Sequence, residues 1–329
     1  MKFYFILFYI FTLLANAGHY ELGHGVKLHE KLRIGGYFST DYEVSETRRR
    51  ARLDDVAFLA YGNLTSNLSY LAEIEAAPFF QRDFRAGTQE YDRHFHRERL
   101  YFDYQYSEMV NFRVGKQITP IGYWNLEPIN VLRETSSNPL LSSKMFPKFL
   151  TGLDIYGYLP WFDSVTYHLF MQNNKDIDED YINIKNEHFF GLSLENEVSM
   201  DFQYGGSFGE FITEDRKRTH FAQLNAKYEL SNNLSIQSEL ALNHIDDHAT
   251  TVKGYKFAGY LQSLYRISSK HALVGRYEYF NDDATDISDH IGIFGYSYRP
   301  IYPVSLKAEY QWNSYEKLNK FITSFSVLF

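Results

Sequence analysis

Residues 321–329 read Phe-Ile-Thr-Ser-Phe-Ser-Val-Leu-Phe, and this stretch decides how the rest of the chain is interpreted. Its odd positions carry Phe, Thr, Phe, Val and Phe, while serine occupies two of the four positions between them. Side chains of a β-strand point alternately to opposite faces, so a period of two predicts a strand with one apolar face. We therefore expect a β-strand here that meets apolar surroundings on one side.

The same alternation recurs along the chain upstream of residue 321. In residues 68–75, for example, Leu68, Tyr70, Ala72 and Ile74 alternate with a face that carries two glutamates. Segments of this kind can be counted about sixteen times between residues 32 and 329. An even number of antiparallel strands is what a single-chain bacterial barrel has.

The connections between these segments fall into two classes that alternate. Short connections rich in turn-forming residues are expected at 65–67, 107–109, 160–163, 196–197, 231–233, 268–270 and 299–302. Longer and more charged connections are expected at 77–97, 119–151, 173–187 and 281–289. A closed barrel with short turns at one end and long loops at the other produces this alternation.

The start of the chain and the composition agree with a secreted barrel. Residues 1–17 have the positive start, apolar run and Ala-Asn-Ala ending of a signal peptide, which leaves residues 18–329 as one barrel domain. Aromatic residues make up 18% of the chain, and it has no cysteine, so no disulfide framework holds it. The net charge of -8 argues against a nucleic-acid partner.

Two stretches resemble known bacterial outer-membrane proteins. Residues 321–329 resemble the closing strand of outer-membrane barrels, and the whole layout resembles the general porins. Residues 114–122 are similar to the stretch that leads into the third loop of phosphate-selective porins, with Lys116 in place of the usual arginine and Ile121 in place of phenylalanine. The resemblance therefore implies the barrel and a channel, and these departures leave the substrate open.

The resemblance implies an all-β fold: a transmembrane antiparallel barrel of about 16 strands with short periplasmic turns, longer extracellular loops and an in-folded third loop. That loop, residues 119–151, would narrow the channel. The residues expected at the constriction are charged side chains of the loop and of the inner wall. On the loop they are Glu127, Arg133, Glu134, Lys144 and Lys148, and on the wall Arg33, Glu73, Glu75, Arg99, Asp103 and Arg113.

The expected function is that of a porin in the bacterial outer membrane, which lets small polar solutes and ions diffuse through. Expected partners are outer-membrane lipid and lipopolysaccharide, such solutes, and two further copies in a homotrimer, with the second loop (77–97) as a latch. No enzyme activity, catalytic residue, metal or other cofactor is expected. The alternatives are a barrel enzyme that hydrolyses lipids or peptides, and a non-porous structural or adhesin barrel.

Lys116 and the basic run at residues 48–52 are the two basic features whose position in the barrel the alternation does not settle. Lys116 shares a parity with the apolar Phe112 and Val114, where a cation facing lipid costs about 2–4 kcal/mol. Either it lies near the membrane interface and extends its ammonium group to water, or a bulge at Gly115 turns it inward, and we favour the bulge. The run Arg48-Arg49-Arg50-Ala51-Arg52 is expected in the first outer loop, as a solvated segment or a site for lipid phosphate.

Overall fold

The computed structural model describes residues 20–91, 94–162, 164–178, 181–247, 253–314 and 319–329. The predicted signal peptide lies outside the described residues. In chain order the strands are β1 (Tyr20–Glu21), β2 (Gly25–His29), β3 (Leu32–Ser45), β4 (Arg49–Asn63), β5 (Leu68–Ala76), β6 (Phe80–Asp83), β7 (Thr88–Tyr91), β8 (His96–Gln105), β9 (Asn111–Ile118), β10 (Phe149–Tyr158), β11 (Val165–Gln172), β12 (Asn186–Ser199), β13 (Phe202–Thr213), β14 (Lys217–Ser231), β15 (Leu234–Asp247), β16 (Lys253–Arg266), β17 (His271–Asp282), β18 (Ile287–Tyr298), β19 (Val304–Asn313) and β20 (Lys320–Leu328). Three short helices lie between β9 and β10: α1 (Tyr123–Leu126), a 3-10 helix (Asn130–Leu132) and α2 (Leu140–Lys144). None of the described helices is long and apolar enough to cross a membrane.

Sixteen of the described strands form a closed ring, which confirms the predicted fold class. Strands β3, β4, β5 and β8 to β20 each pair antiparallel with the next. The ring closes where β20 pairs with β3, from Lys320 opposite Ser45 to Leu328 opposite Tyr37. Closure leaves no unpaired sheet edge within the ring. Strand β2 pairs antiparallel with the first residues of β3, and β1 pairs with β2. Strands β6 and β7 form a hairpin that pairs with β4.

The two faces of the ring differ as the alternation predicts. Along β14, Gln223 and Asn225 are buried on the inner face, whereas Leu224 and Tyr228 are exposed on the outer face. Large apolar side chains are exposed at many positions of the outer face. They include Phe102, Val114, Phe208, Leu261, Phe294, Tyr310 and Trp312.

The connections lie at two ends of the barrel, which we call the turn end and the loop end. The turn end has the connections 64–67, 106–110, 200–201, 232–233, 267–270 and 299–303, and the loop end has 46–48, 77–95, 119–148, 173–185, 214–216 and 283–286. The third loop, 119–148, ends three residues earlier than predicted. Several connections at the loop end are short, so the predicted contrast in length holds for the second, third and fourth loops only, among those described.

Three predictions of local structure are wrong. Strand β12 continues through Asn196 and Glu197, because both pair with β13, and the turn follows at residues 200–201. The predicted loop 281–289 shrinks to 283–286, since β17 and β18 pair up to Asp282 and Ile287. Polar residues at these strand ends continue the ladder instead of forming turns. Arg49–Arg52 likewise belong to β4 and not to a loop.

The interior holds an apolar cluster near the loop end that the polar-lumen pattern does not predict. Phe170, Phe189, Phe211 and Phe221 lie on the inner face of β11 to β14 and are buried together with side chains of the third loop. The loop residues of this cluster are Ile121, Leu141, Met145 and Phe146. Burial of one such side chain contributes about 1.5–3 kcal/mol. The cluster therefore holds the third loop inside the barrel.

Candidate functional site: the lumen and its third loop

The third loop enters the lumen through a tight neck beside β9 and β10. Thr119 donates its backbone N–H to Lys148 (2.9 Å) and its hydroxyl to Pro147 (2.7 Å). Gly122 follows with a φ of 66°, and a Cβ there would overlap the carboxylate of Glu239 on β15. Only glycine permits both this conformation and this approach. Gly122 therefore allows the loop backbone to approach the wall at β15.

Three wall carboxylates accept hydrogen bonds from the loop backbone. Glu239 accepts from the N–H groups of Tyr123 (3.1 Å) and Trp124 (2.8 Å). On β17, Glu278 accepts from Leu140 (2.9 Å), and on β19, Glu309 accepts from Ser136 (2.9 Å) and Ser137 (3.1 Å). All three carboxylates are buried, and bonds to a charged acceptor are the stronger kind.

Three wall cations donate hydrogen bonds to backbone carbonyls of the loop. Arg276 on β17 donates to the carbonyl of Ser137 (2.9 Å), and Lys307 on β19 donates to the carbonyls of Asn130 and Thr135. Arg299, which follows β18 at the turn end, donates to the carbonyls of residues 131, 132 and 133. The wall thus holds the loop mainly through its backbone, and we call these six wall residues the loop anchor.

Trp124 is the centre of this contact region. The guanidinium groups of Arg276 and Arg133 lie 4.9 and 5.2 Å from its ring, and Tyr260 meets it edge-on. A cation over an indole ring is attracted by the electron-rich face of that ring. Burial lowers the pKa of Arg133, although the nearby carboxylates of Asp55 and Glu127 oppose this effect.

Several predicted constriction residues are buried in ion pairs and hydrogen bonds near the loop end. Arg99 pairs with Glu73 across β8 and β5. Glu75 accepts a hydrogen bond from Tyr181 of the fourth loop and lies 3.1 Å from the hydroxyl of Tyr37. Lys148 lies 3.3 Å from Glu98, a carboxylate that the sequence analysis missed. A register shift in β8 inserts Glu98 beside Arg99, and alternation alone cannot show such a shift.

Arg113 and Asp103, also predicted, form a rigid unit on the wall of β8 to β11. Arg113 donates to Asp103 at 2.7 Å and lies 4.7 and 5.3 Å from the rings of Tyr101 and Tyr156. The ring of Tyr156 in turn stacks on His168 at 5.3 Å. These planar groups follow one another around the inner wall, on strands that no member of the loop anchor belongs to.

The remaining predicted residues have separate positions. Glu134 pairs with Arg299 at 3.3 Å, and Lys144 is exposed on α2. Arg33 donates to the carbonyl of His24 at 3.3 Å, near the turn end.

Glu127 is the exposed acid of the third loop and faces lumen water. The surrounding wall still withdraws it from bulk solvent enough to raise its pKa, although Lys227 on β14 and Arg133 act in the opposite direction.

Lys116 takes neither of the positions considered from the sequence. The ladder from β8 keeps its register through Gly115 and Lys116, so the expected bulge is not there, although Gly115 has a φ of 129°. The ammonium group lies 3.0 Å from Asp176 of the fourth loop and 5.2 Å from the ring of Phe149, and the side chain is 0% exposed. The fourth loop therefore covers and neutralises this cation.

The fourth loop is a second loop that packs on the barrel end, which the sequence analysis did not predict. Asp178 pairs with His96 at 3.0 Å and with Arg97 at 3.3 Å, and these hydrogen bonds lower the pKa of Asp178. Tyr181 stacks on His96 at 4.5 Å. Asp176 and Asp178 therefore find their cationic partners on β8 and β9, which are distant from them in the sequence.

Solved structures of several outer-membrane proteins share this architecture. OmpT of Vibrio cholerae, expressed in the outer membrane, matches with a TM-score of 0.69 at 12% identity, over 94% of this chain and 100% of that chain. The anion-selective porin from Comamonas acidovorans has a TM-score of 0.67 at 9% identity, over 91% and 99%. OmpF of Salmonella typhi, in complex with daunomycin, has a TM-score of 0.66 at 12% identity, over 91% and 98%. No protein-family model and no curated protein sequence matches the chain. At these identities the likeness concerns the fold, and the chain has the barrel fold of the porins.

Proposed function

We propose that the protein is a porin of the bacterial outer membrane, a passive channel for small polar solutes and ions. The observation that carries this proposal is a closed ring of sixteen strands with a polar interior and a third loop fixed inside it. Barrels of eight strands are filled by their own side chains, whereas sixteen strands leave room for an aqueous passage.

The outer face supports the membrane location. Backbone groups in hydrocarbon need internal partners, which a closed ring supplies. Aromatic side chains such as Tyr228 and Trp312 lie toward the ends of their strands, where headgroups meet water. The turn end would face the periplasm and the loop end the outside, where lipopolysaccharide is the expected lipid partner.

The filter would depend mainly on Glu127 of the third loop, because Arg113 on the wall is already paired with Asp103. Other charges predicted for the constriction would act indirectly, since Glu73 pairs with Arg99 and Glu75 is hydrogen-bonded to Tyr37. Their role would be to keep the wall and the loop in place. The free charges of the passage would then set its ion preference.

Planar-bilayer recording tests the channel. Purified protein should give stepwise ion conductance, and the Glu127→Gln variant should keep the steps while its reversal potential in a salt gradient moves toward anion preference. Heat-dependent gel mobility, measured on the same sample, reports whether the barrel is folded. Folded protein that gives no steps would overturn the proposal.

A homotrimer is the proposed assembly, with the second loop (77–97) as the latch. Strands β6 and β7 shape this loop into a hairpin with Phe84 and Tyr91 exposed. A trimer form of OmpT is among the solved structures that share the fold. Native mass measurement should give three copies, and removal of residues 80–91 should weaken the assembly. A monomer in mild detergent, with the barrel folded, would contradict it.

The hydrolase alternative has one arrangement that deserves a test. Asp154, His168 and Ser193 lie on the inner faces of β10, β11 and β12, and Asp154 is 2.9 Å from His168 Nδ1. A nucleophilic serine needs a hydrogen bond to its base. Ser193 is instead buried and bonded to Ser207 at 2.9 Å, which favours the channel. Lipid or peptide hydrolysis that disappears in His168→Gln would favour the enzyme instead.

A further inference from the structure

A cavity of about 480 Å3 lies at the turn end of the lumen. One of its lining residues, Tyr61, also packs against an apolar cluster that includes Ile129 and Val131 of the third loop. Residues of β3, β4, β5, β8, β9 and β10 line it, among them Arg33, Tyr61, Leu71, Tyr101 and Arg113. Its size is that of a site for a small molecule. The register explains why these residues meet, because Arg33 pairs with Tyr61, Tyr61 with Leu71, and Leu71 with Tyr101.

The wall of this cavity is rigid where Arg113 lies. Both the Nε and the Nη2 atoms of Arg113 lie within 2.7 Å of one oxygen of Asp103, whose other oxygen accepts from the hydroxyl of Tyr156 at 2.6 Å. Asp103 is thus satisfied within the wall and is only 5% exposed. The outer edge of the guanidinium, at Nη1, is directed away from these two bonds.

Arg33 supplies the less compensated positive charge. Its guanidinium donates to the carbonyl of His24 at 3.3 Å, and no carboxylate lies within 4 Å of it among the described residues. Glu30 is exposed at the rim of the cavity. The hydroxyl of Tyr101 has no hydrogen-bond partner within the described part of the chain. The cavity therefore offers one cation, free donors and the apolar surface of Leu71.

We propose that this cavity is a binding subsite for a sugar acid, a monosaccharide-sized ring that carries one carboxylate. This proposal rests on the proposed channel function and adds the class of solute to it. Arg33 would receive the carboxylate, Tyr101 and the Arg113 edge would donate to ring hydroxyls, and Leu71 would lie against the apolar face of the ring. Several contacts of modest strength suit a channel, in which a solute must enter and also leave.

The test compares three probes that separate charge from ring. Glucuronate has both, glucose has the same ring without the charge, and acetate has the charge without the ring. Binding is measured twice, by block of the single-channel current and by calorimetry of the folded protein in detergent micelles. Glucuronate should bind at least about fivefold more tightly than either other probe, the gain that one partly exposed charge contact supplies.

Two variants and one control locate the site. Arg33→Gln should lower the affinity for glucuronate about fivefold and leave that for glucose unchanged. Tyr101→Phe keeps the ring beside Arg113 and should weaken both sugars but not acetate. Arg85→Gln, at an exposed cation of the second loop, should change neither.

The readouts separate this inference from the channel itself. Equal affinity for glucuronate and glucose, or an Arg33→Gln variant that binds glucuronate as the unchanged protein does, would overturn the subsite. Calorimetric binding in a folded protein that gives no conductance would uphold the subsite and reject the channel.

Discussion

At the scale of single residues, the lumen has many charges but leaves few of them free. Arg113 and Asp103 are directly opposite each other on β8 and β9, so they pair and do not point separately into the passage. Lys116 is neutralised by Asp176. Glu127 differs, because it is exposed on the third loop and no carboxylate or cation within 4 Å pairs with it among the described residues. Ion preference should therefore depend on this residue far more than on the total charge of -8.

The pKa of Glu127 gives a prediction for pH. Because this pKa is raised, the carboxylate loses its charge at a higher pH than an ordinary glutamate does. Acidification from neutral pH should therefore shift the reversal potential toward anion preference before other exposed acids titrate. Glu127→Gln should remove this early shift, whereas Glu46→Gln, in the exposed first loop, should keep it. An early shift that persists without Glu127 would show that another group controls it.

At the scale of elements, the third loop is fixed in the lumen by many contacts with the barrel wall. Its helices are short, at four, three and five residues, and cannot be stable alone. Six charged wall residues bond its backbone, and the apolar cluster holds α2. The position of the loop, and with it the width of the passage, thus depends on the wall of β15 to β19.

Loss of one carboxylate of the loop anchor should loosen the third loop. Glu309→Gln replaces one acceptor oxygen by an NH2 group that cannot accept from Ser136 or Ser137, and a bond to a charged group contributes about 1.5–3 kcal/mol. Hydrogen exchange of residues 130–140 should become faster, and current noise in the open channel should increase.

Glu43→Gln is the matched control for this prediction. Glu43 is also a buried wall carboxylate, but it pairs with Arg50 and does not touch the loop. If both variants accelerate exchange in residues 130–140 equally, the anchor does not act through the contact described.

At the scale of the whole molecule, the barrel depends on one seam between distant parts of the chain. Phe329 donates its N–H to Gly36 (2.7 Å) and accepts from Gly36 N–H (2.8 Å), and its ring lies 6.5 Å from Phe38. These contacts join two residues that are separated in the sequence by nearly the whole barrel domain. Long-range pairing of this kind is slow to form.

Removal of Phe329 should weaken the seam more than a lipid-facing change nearby. Two lost hydrogen bonds correspond to about 1–3 kcal/mol, and the ring contact is lost as well. Urea unfolding in vesicles should show a lower midpoint than for Phe321→Ala, which alters an exposed outer residue of the same strand. Equal midpoints for both variants would contradict a special role of the seam.

The alternation of residues was enough to predict the sixteen strands of the ring and the faces they present, but not strands β1, β2, β6 and β7. It could do so because every strand of the ring has one face toward lipid and one toward the lumen. Apolar and polar residues therefore alternate within each strand, and this pattern is visible in the local sequence. The third loop was recognisable as the longest connection, and its entry into the lumen was expected from the resemblance to general porins.

Tertiary structure alone decided which charges are free. Glu239, Glu278 and Glu309 look in the sequence like any inward polar residue, yet they bind a loop that is more than a hundred residues away. Glu98 depends on a register shift, and Lys116 depends on the fourth loop. The sequence pattern of a strand shows which of its faces meets lipid and which meets the lumen. The pairing of charges across the lumen depends on distances between strands and loops, and only the closed ring determines these distances.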